Sequence, residues 1–518
     1  MTTPRIEHED RLSPLHGNAA AIRAVAAAVE GTLGPKGLNC MLVDRHGAVV
    51  ITNDGSTILE QIDAAHPAAR LLVHVARAQD REVGDGTTTA TILASALIAE
   101  GVAQAERGVP VTRIVEGMRV GVAAAIDGIT RRAMPISAMD DPLLRRAALI
   151  AGREQADLAE LCLTAAAAVG RARLQAADFR LADWIIARDG AENEVVQGVV
   201  LEKEPVNRQM PRDVAETSVL CLDDALEPEE LDESAMSTEA GFAAFMRYQA
   251  EFREAMGRLA AAGVRAIFVT KAVHAIAEEL LTEAGALVVR RLSGRDLHRV
   301  ARHTGATLVK RAALRKPAEE LAAMLGRAER VRVDERLGQI RVLSQAGESM
   351  ATMLVGAATP EVREERRRVA EDAACAVQAA LRGGVAPGGG AAELAAIADV
   401  EAARGSAGAM AAYGADCVLA ALRAPLAQIA ANAGFNPLEK VEAVLAAMAR
   451  DGSTSLALHC DTGEVADMLV LGVVDPAPVK IHALRAAGEV AEAILRINTV
   501  IRKRDDNGAG ETPAGEGV

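Results

Sequence analysis

Aromatic side chains are almost missing from this chain: of 518 residues one is Trp (Trp184), two are Tyr and six are Phe. A surface that holds nucleic acid by stacking bases on rings is therefore not expected. Basic charge is also short, with 57 Lys and Arg against 71 Asp and Glu and a net charge of -14. That balance argues against a binder of phosphate backbones, and no basic patch stands out. Cys40, Cys162, Cys221, Cys375, Cys417 and Cys460 are scattered, with no C-x-x-C pair. They predict neither a metal clip nor a disulfide framework, only reduced and mostly buried thiols. The histidines contain no H-E-x-x-H, and His298 and His303 are spaced off a single helical face. No uncharged apolar run approaches the roughly 20 residues that cross a bilayer. The acidic amino terminus lacks the basic and then apolar plan of a signal peptide. The expected location is the cytoplasm, with neither nucleic acid nor membrane as a partner.

What is present is material for large cores, since half the residues are hydrophobic and a quarter charged. At roughly 150 residues per domain the length suggests about three or four units. Residues from about 18 to 135 have helical period, with Ile22, Val25, Ala26 and Val29 on one face and Gly31 as a stop. A short β pair interrupts them, Met41-Leu-Val-Asp and Ala48-Val-Val-Ile-Thr. From about 208 to 350 strands alternate with helices: Val219-Leu-Cys-Leu, Ala266-Ile-Phe-Val-Thr, Leu287-Val-Val-Arg and Thr307-Leu-Val-Lys. After about 390 the helical period returns, ending on Val490, Ile494, Ile497 and Ile501. The pattern predicts an α/β domain inserted into a helical domain built from both chain ends. Residues 223–240 form a strongly acidic stretch before an amphipathic helix with Phe242, Phe245 and Met246. The last residues, from Asp505, have no large apolar side chain to bury before Val518 and read as disordered.

Four segments combine Gly, Thr and Asp beyond the needs of a helical core. Gly31-Thr-Leu-Gly-Pro-Lys-Gly37 follows a helix; its glycines let backbone amides approach an anion, and Thr32 and Lys36 add donors. It also reads as a helix-ending turn, and it is not a Walker loop. Gly84-Asp-Gly-Thr-Thr-Thr89 runs into a helix whose free amides and partial positive charge welcome a phosphate. Asp85 offers a hard oxygen to Mg²⁺, which is usually held by one or two carboxylates. Thr52-Asn-Asp-Gly55 reads either as a hairpin turn or as part of the same site. Asp372 lies beside an apolar helical stripe of Val369, Ala373, Ala376, Val377 and Ala380, where an acid needs a partner or a role. Gly388-Gly-Gly390 marks either a flexible linker or close approach to the main chain. Together they suggest a magnesium-nucleotide site, since phosphoryl transfer needs mainly positioning and charge neutralisation.

In this order, Thr32-Leu-Gly-Pro-Lys-Gly37, Asn53-Asp-Gly55, Gly84-Asp-Gly-Thr-Thr-Thr89, Glu371-Asp372-Ala373, Gly388-Gly-Gly390 and Val474-Asp475-Pro476 resemble the motifs of chaperonins, ring-forming ATP-dependent folding machines. The resemblance runs from about residue 17 to 504. Met41-Leu-Val-Asp44, Val199-Val-Leu-Glu-Lys-Glu204, Met210-Pro211, Ala286-Leu-Val-Val-Arg-Arg291 and Ile494-Leu-Arg-Ile497 look like the thermosome-like branch, group II or the bacterial group III type with a built-in lid. Arg153 departs from the Lys that such chains often carry there, and Asn498 and Ser56 replace a frequent Asp and Ala.

The resemblance implies a multidomain α and α/β architecture. An all-α equatorial ATP-binding domain would take residues 1–138 and 389–518, and a small intermediate hinge domain 139–207 and 354–388. An inserted α/β apical client-binding domain would take 208–353, with a helical protrusion forming the lid at about 224–250, and 505–518 would be a disordered tail. Thr32, Leu33, Gly34 and Pro35 would contact ATP. Gly86, Thr87, Thr88 and Thr89 would cradle its phosphates, and Asp85 would hold Mg²⁺. Gly389 and Asp475 would meet the ribose and base. Asp54 and Asp372 would position or activate the hydrolytic water, with domain closure completing the site. The implied partners are unfolded or partly folded proteins and identical subunits in stacked rings, with no separate lid protein. Ile276, Leu280, Leu281, Leu297 and Val300 either meet clients or form the core of the α/β domain. A ring-forming holdase or scaffold with little productive ATP cycling is the alternative; a small-molecule phosphotransferase would need a second substrate pocket, which nothing suggests.

Overall fold

The computed structural model describes residues 8–43, 49–62, 64, 66–229, 238–406 and 408–497. The expected tail from 505, residues 230–237 of the expected lid, and Asn498 and Ile501 lie outside them. The chain divides into two compact units, 1–135 with 383–518, and 136–382.

The first unit is helical. The helix His8–Glu30 buries Ile22, Val25, Ala26 and Val29, the stripe expected from their spacing, and begins about ten residues earlier than the sequence pattern indicates. Thr87–Glu106 is apolar on most sides, and it packs against His8–Glu30, Pro67–Val83, Ala412–Asn432 and Ala477–Leu495. A helix without a polar face belongs at the centre of a core. Leu93, Leu97 and Ile98 meet Leu422, Leu426, Leu484 and Ile494 there, each fully buried side chain contributing about 1.5–3 kcal/mol. Among the described residues, Ala412–Asn432 alone is long and apolar enough to cross a bilayer. It carries Asp416 and Arg423 and belongs to this core. Strands β1 (Cys40–Val43) and β2 (Val49–Thr52) pair antiparallel, as expected.

Helix Val111–Arg132 approaches the start of Ala412–Asn432 closely at two glycines. A Cβ on Gly117 would lie 1.7 Å from the Ala411 carbonyl oxygen, and one on Gly414 would lie 2.0 Å from that of Ile114. Both obstacles are backbone. Gly117→Ala is therefore expected to lower stability by roughly 1–3 kcal/mol, measured as a drop in the urea midpoint; an unchanged midpoint would contradict this packing.

In the second unit, β3 (Ile185–Asp189) and β4 (Glu194–Val196) flank β12 (Thr352–Ala357). A larger seven-stranded sheet runs β5 (Val199–Leu201), β11 (Gln339–Leu343), β10 (Gly326–Asp334), β6 (Asp213–Leu222), β7 (Val264–Val269), β8 (Leu287–Val289), with β9 (Leu308–Val309) also beside β6. β6, β7, β8 and β9 are parallel. Their near-continuous apolar runs fit strands covered on both faces. The helices Glu239–Ala261, Ala275–Glu283 and Gly294–Thr304 connect them in sequence. Leu281, Leu297 and Val300 are fully buried, while Ile276 and Leu280 are partly buried against the same core as Leu281. Of the two readings of these five, core is the one that Leu281, Leu297 and Val300 bear out; Ile276 and Leu280 keep part of their surface open.

The cysteines are all free, with Cys162, Cys221, Cys375 and Cys417 buried. His303 is buried with Nδ1 at 3.0 Å from the Glu348 carbonyl. Among the described residues no group of three or more His, Cys, Asp or Glu side chains is arranged to hold a metal.

Candidate nucleotide site

The first unit brings the Gly, Thr and Asp segments to the amino terminus of Thr87–Glu106. Gly86 occupies the N-cap position with φ 78°, and among the described residues no side chain caps the first amides. A β-carbon at Gly86 would be strained by this φ and would sit 2.6 Å from Val479. A 20-residue helix thus presents open N–H groups and the positive end of its dipole. Thr87 and Thr88 are buried. Thr32 donates through Oγ1 to the Val29 carbonyl at 2.8 Å, and its Oγ1 lies 3.5 Å from that of Thr88. Asn432 holds the same loop by donating to the Glu30 and Leu33 carbonyls, both at 2.8 Å. Gly34 and Pro35 complete its exposed edge. Lys36 instead pairs with Asp461 at 2.5 Å.

Asp85 is half-buried beside this helix end. The Gly86 N–H donates to its Oδ1 at 2.6 Å, and Gln79 donates through Nε2 to its main-chain carbonyl at 2.7 Å. Gln79 also donates to the Val479 carbonyl and accepts at Oε1 from His482 Nδ1, 2.6 Å away. Burial, followed by the charge of Asp475, pushes the Asp85 carboxyl up to about 6. A half-buried carboxylate beside a second one is a place where a cation is favoured. One carboxylate plus phosphate oxygens suits Mg²⁺, so the residues fit a magnesium-nucleotide.

Asp54 is not in a hairpin turn. It joins β2 to the helix Gly55–Gln61 as its N-cap, which corrects that reading of Thr52-Asn-Asp-Gly55. Its Oδ2 accepts from the Thr57 N–H at 2.8 Å, the Thr57 hydroxyl at 2.6 Å and the Ser56 hydroxyl at 2.9 Å. Burial alone would raise this carboxyl, but these donors outweigh it and hold it below the ordinary carboxylate range. Gly55 is needed for contact: a β-carbon there would lie 2.4 Å from Thr88 Oγ1. The close approach ties Asp54 to the helix end.

Gly388–Gly390 is an ordered, largely buried turn, so the linker reading is also corrected. Gly388 donates to the Val473 carbonyl at 3.0 Å and Ala391 to the Gly388 carbonyl at 3.1 Å. The turn follows β13 (Val385–Pro387), which pairs with β16 (Val474–Pro476), setting Ala386 opposite Asp475. Gly389 and Asp475 thereby come to one end of a small ladder.

Asp372 belongs to the other unit, on the helix Pro360–Gly383. Val369, Ala373, Ala376, Val377 and Ala380 are all buried, as their spacing indicates. Arg153 Nη2 lies 3.7 Å from Asp372 Oδ2, and its Nη1 lies 2.5 Å from Glu365 Oε1. Arg153 and Glu154 have φ of 50° and 60°, a conformation that side chains other than glycine adopt at some cost.

Sequence reasoning missed Gln79, Glu393, Lys480 and His482. Lys480 ties Glu393 and Asp475 together, at 2.9 and 2.7 Å. Its signal was a charge on the apolar stripe of Ala477, Leu484 and Ala487.

Fold and site together define a class: a helical nucleotide-binding unit interrupted in sequence by an α/β unit. Residues 25–505 match the family model of the TCP-1/cpn60 chaperonins. The chain is 34% identical to the thermosome subunit beta of Archaeoglobus fulgidus over 95% of its own length and 93% of that protein's. It is 36% identical to thermosome subunit 3 of Haloferax volcanii, covering 93% and 94%. It is also similar to a crystal structure of a group III chaperonin in the open state, with TM-score 0.87 and 44% identity over 96% of this chain and all of that one. The chain belongs to the TCP-1/cpn60 chaperonin family. It is accordingly a subunit of a ring-forming, ATP-hydrolysing chaperone that binds unfolded proteins.

Proposed function

We propose that the chain forms cytoplasmic double rings of identical subunits, in which Mg²⁺-dependent ATP hydrolysis closes a lid built from its own residues around 224–250. No separate lid protein is needed in this reading. The observation that carries it is the convergence of Thr32–Pro35, Asp54, Asp85–Thr89, Gly389 and Asp475 around one uncapped helix end. Gly86, Thr87, Thr88 and Thr89 receive the phosphates, while Thr32, Leu33, Gly34 and Pro35 line the nucleotide. Gly389 and Asp475 face ribose and base. Mg²⁺, held by Asp85, supplies neutralisation of phosphate charge. Asp54, kept ionised by its donors, orients the hydrolytic water, and Asp372 positions or activates it.

The proposed division is equatorial for 1–138 and 389–518, intermediate for 139–207 and 354–388, and apical for 208–353. The helix Glu239–Ala261 supports the lid reading: Phe242 and Met246, one turn apart, are 58% and 53% exposed. Apolar side chains so placed suit contact with a client or a neighbouring lid. The β1–β2 hairpin supports assembly, since Met41, Val43, Val49 and Ile51 are all exposed.

A direct test measures phosphate release and refolding of a denatured client with ATP in Mg²⁺ or EDTA. Hydrolysis and refolding are expected in Mg²⁺ alone. Hydrolysis without refolding would favour the holdase or scaffold, and undiminished hydrolysis in EDTA would contradict the role of Asp85.

A further inference from the structure

Lys480 is a cation in an unusual place. Its side chain is 8% exposed, that of Glu393 is 1% exposed, and the ammonium reaches both Glu393 Oε1 and Asp475 Oδ2. Among the described residues, no hydrogen-bond donor meets either carboxylate oxygen of Glu393 with good geometry. Lys480 is therefore its compensation. The three residues come from three elements around the glycine turn. Glu393 lies on the helix Ala391–Ala395 that leaves it, Asp475 on β16 beside the strand that enters it, and Lys480 on the first turn of Ala477–Leu495.

We infer that Lys480 is a positioning residue of the nucleotide site, fixing the Asp475 carboxylate for the sugar of ATP, with Glu393 serving only to balance the buried ammonium. The inference rests on the proposed role of Asp475. Stability alone is a poor reason for such a cluster, because buried ion pairs are often replaceable by apolar groups without loss. Geometry gives a better one. An ammonium has three donors and no acceptor, so one group serves both carboxylates at hydrogen-bond distance. Asp475 and Asp85 repel each other, whereas Lys480 attracts both. Without that cation, the two neighbouring carboxylates have reason to move apart.

Changing Lys480 alone leaves Glu393 buried and unpaired, which would destabilise the fold for reasons unconnected with nucleotide. The test therefore compares Glu393→Gln, the pair Lys480→Met with Glu393→Gln, and Asp475→Ala. Each is read by titrating a fluorescent ATP analogue in Mg²⁺, and by the division of any loss between KM and kcat. Glu393→Gln keeps the Lys480–Asp475 contact and is expected to bind like the unaltered chain. The pair is expected to bind about tenfold or more weakly, with KM raised and kcat retained. Unaltered affinity in the paired variant would show that Lys480 only compensates Glu393, and would overturn the inference while leaving Asp475 in the site. Unaltered affinity in Asp475→Ala would overturn the reading of Asp475 and this inference with it. Should the paired variant not fold, Lys480→Gln combined with Glu393→Gln, which keeps an amide donor and removes both charges, carries the same expectation and the same contrary result.

Discussion

Asp372→Ala is expected to bind ATP with nearly unaltered affinity and to lose ~10²-fold or more in turnover, the scale of a positioned acid–base group. The proposed phosphate-binding segments lie in the first unit and Asp372 in residues 136–382. On that proposal binding and turnover draw on different parts of the chain, and they separate in the variant. The carboxylate has a local partner in Arg153, 3.7 Å away, and sits over a fully buried alanine and valine stripe. Its removal takes away an oxygen acceptor without opening a core cavity, so the fold should persist. Single-turnover hydrolysis beside nucleotide titration makes the measurement. Turnover near that of the unaltered chain would remove Asp372 from the chemistry.

Asp85→Asn is expected to do two opposite things. It should abolish the stabilisation that Mg²⁺ and nucleotide together give, because the anionic oxygen offered to the metal is gone. In EDTA and without nucleotide, the same variant should be more stable than the parent near neutral pH. The Asp85 carboxyl lies near 6 in the fold against an ordinary 3.8. Between these values the native state holds a proton that the unfolded chain releases, so stability falls as pH rises through that window. The loss is complete above it and is roughly 1–3 kcal/mol at neutral pH. Asn removes the penalty and can keep the acceptor for the Gly86 N–H. Thermal melts between pH 4 and 8 test both halves. A parent and variant with parallel pH profiles in EDTA would contradict the burial of this carboxylate.

The helices and parallel strands were legible because their apolar spacing is local. Ile22, Val25, Ala26 and Val29 mark one helix face, and Ala266-Ile-Phe-Val marks a strand covered on both sides. The antiparallel strand β10 was missed although its pattern is plain, with Ala328, Val331 and Val333 buried and Arg330 and Arg332 exposed between them. Glycine-rich segments announced close approach without saying to what. Only the fold shows that Gly55 abuts Thr88 and that Gly388–Gly390 packs beside Asp475. Asp54 looked like a turn because Asn, Asp and Gly favour turns, yet the same chemistry caps a helix. Lys480 showed in sequence only as a charge on an apolar stripe, because its meaning lies in Glu393 and Asp475, one of them 87 positions away and brought near by tertiary packing. Leu281, Leu297 and Val300 show the limit in the other direction. An apolar helix face is the same in sequence whether it meets a client or its own sheet, and here it meets the sheet.

The central claim is that Mg²⁺ and ATP drive closure of a double ring by a lid within the chain. Electron-microscope images of purified particles with and without Mg²⁺-ATP test it most directly. Stacked double rings, open without nucleotide and capped at both ends when hydrolysis proceeds, are the expected result. Monomers under every condition, or rings whose openings are the same with and without Mg²⁺-ATP, would contradict it.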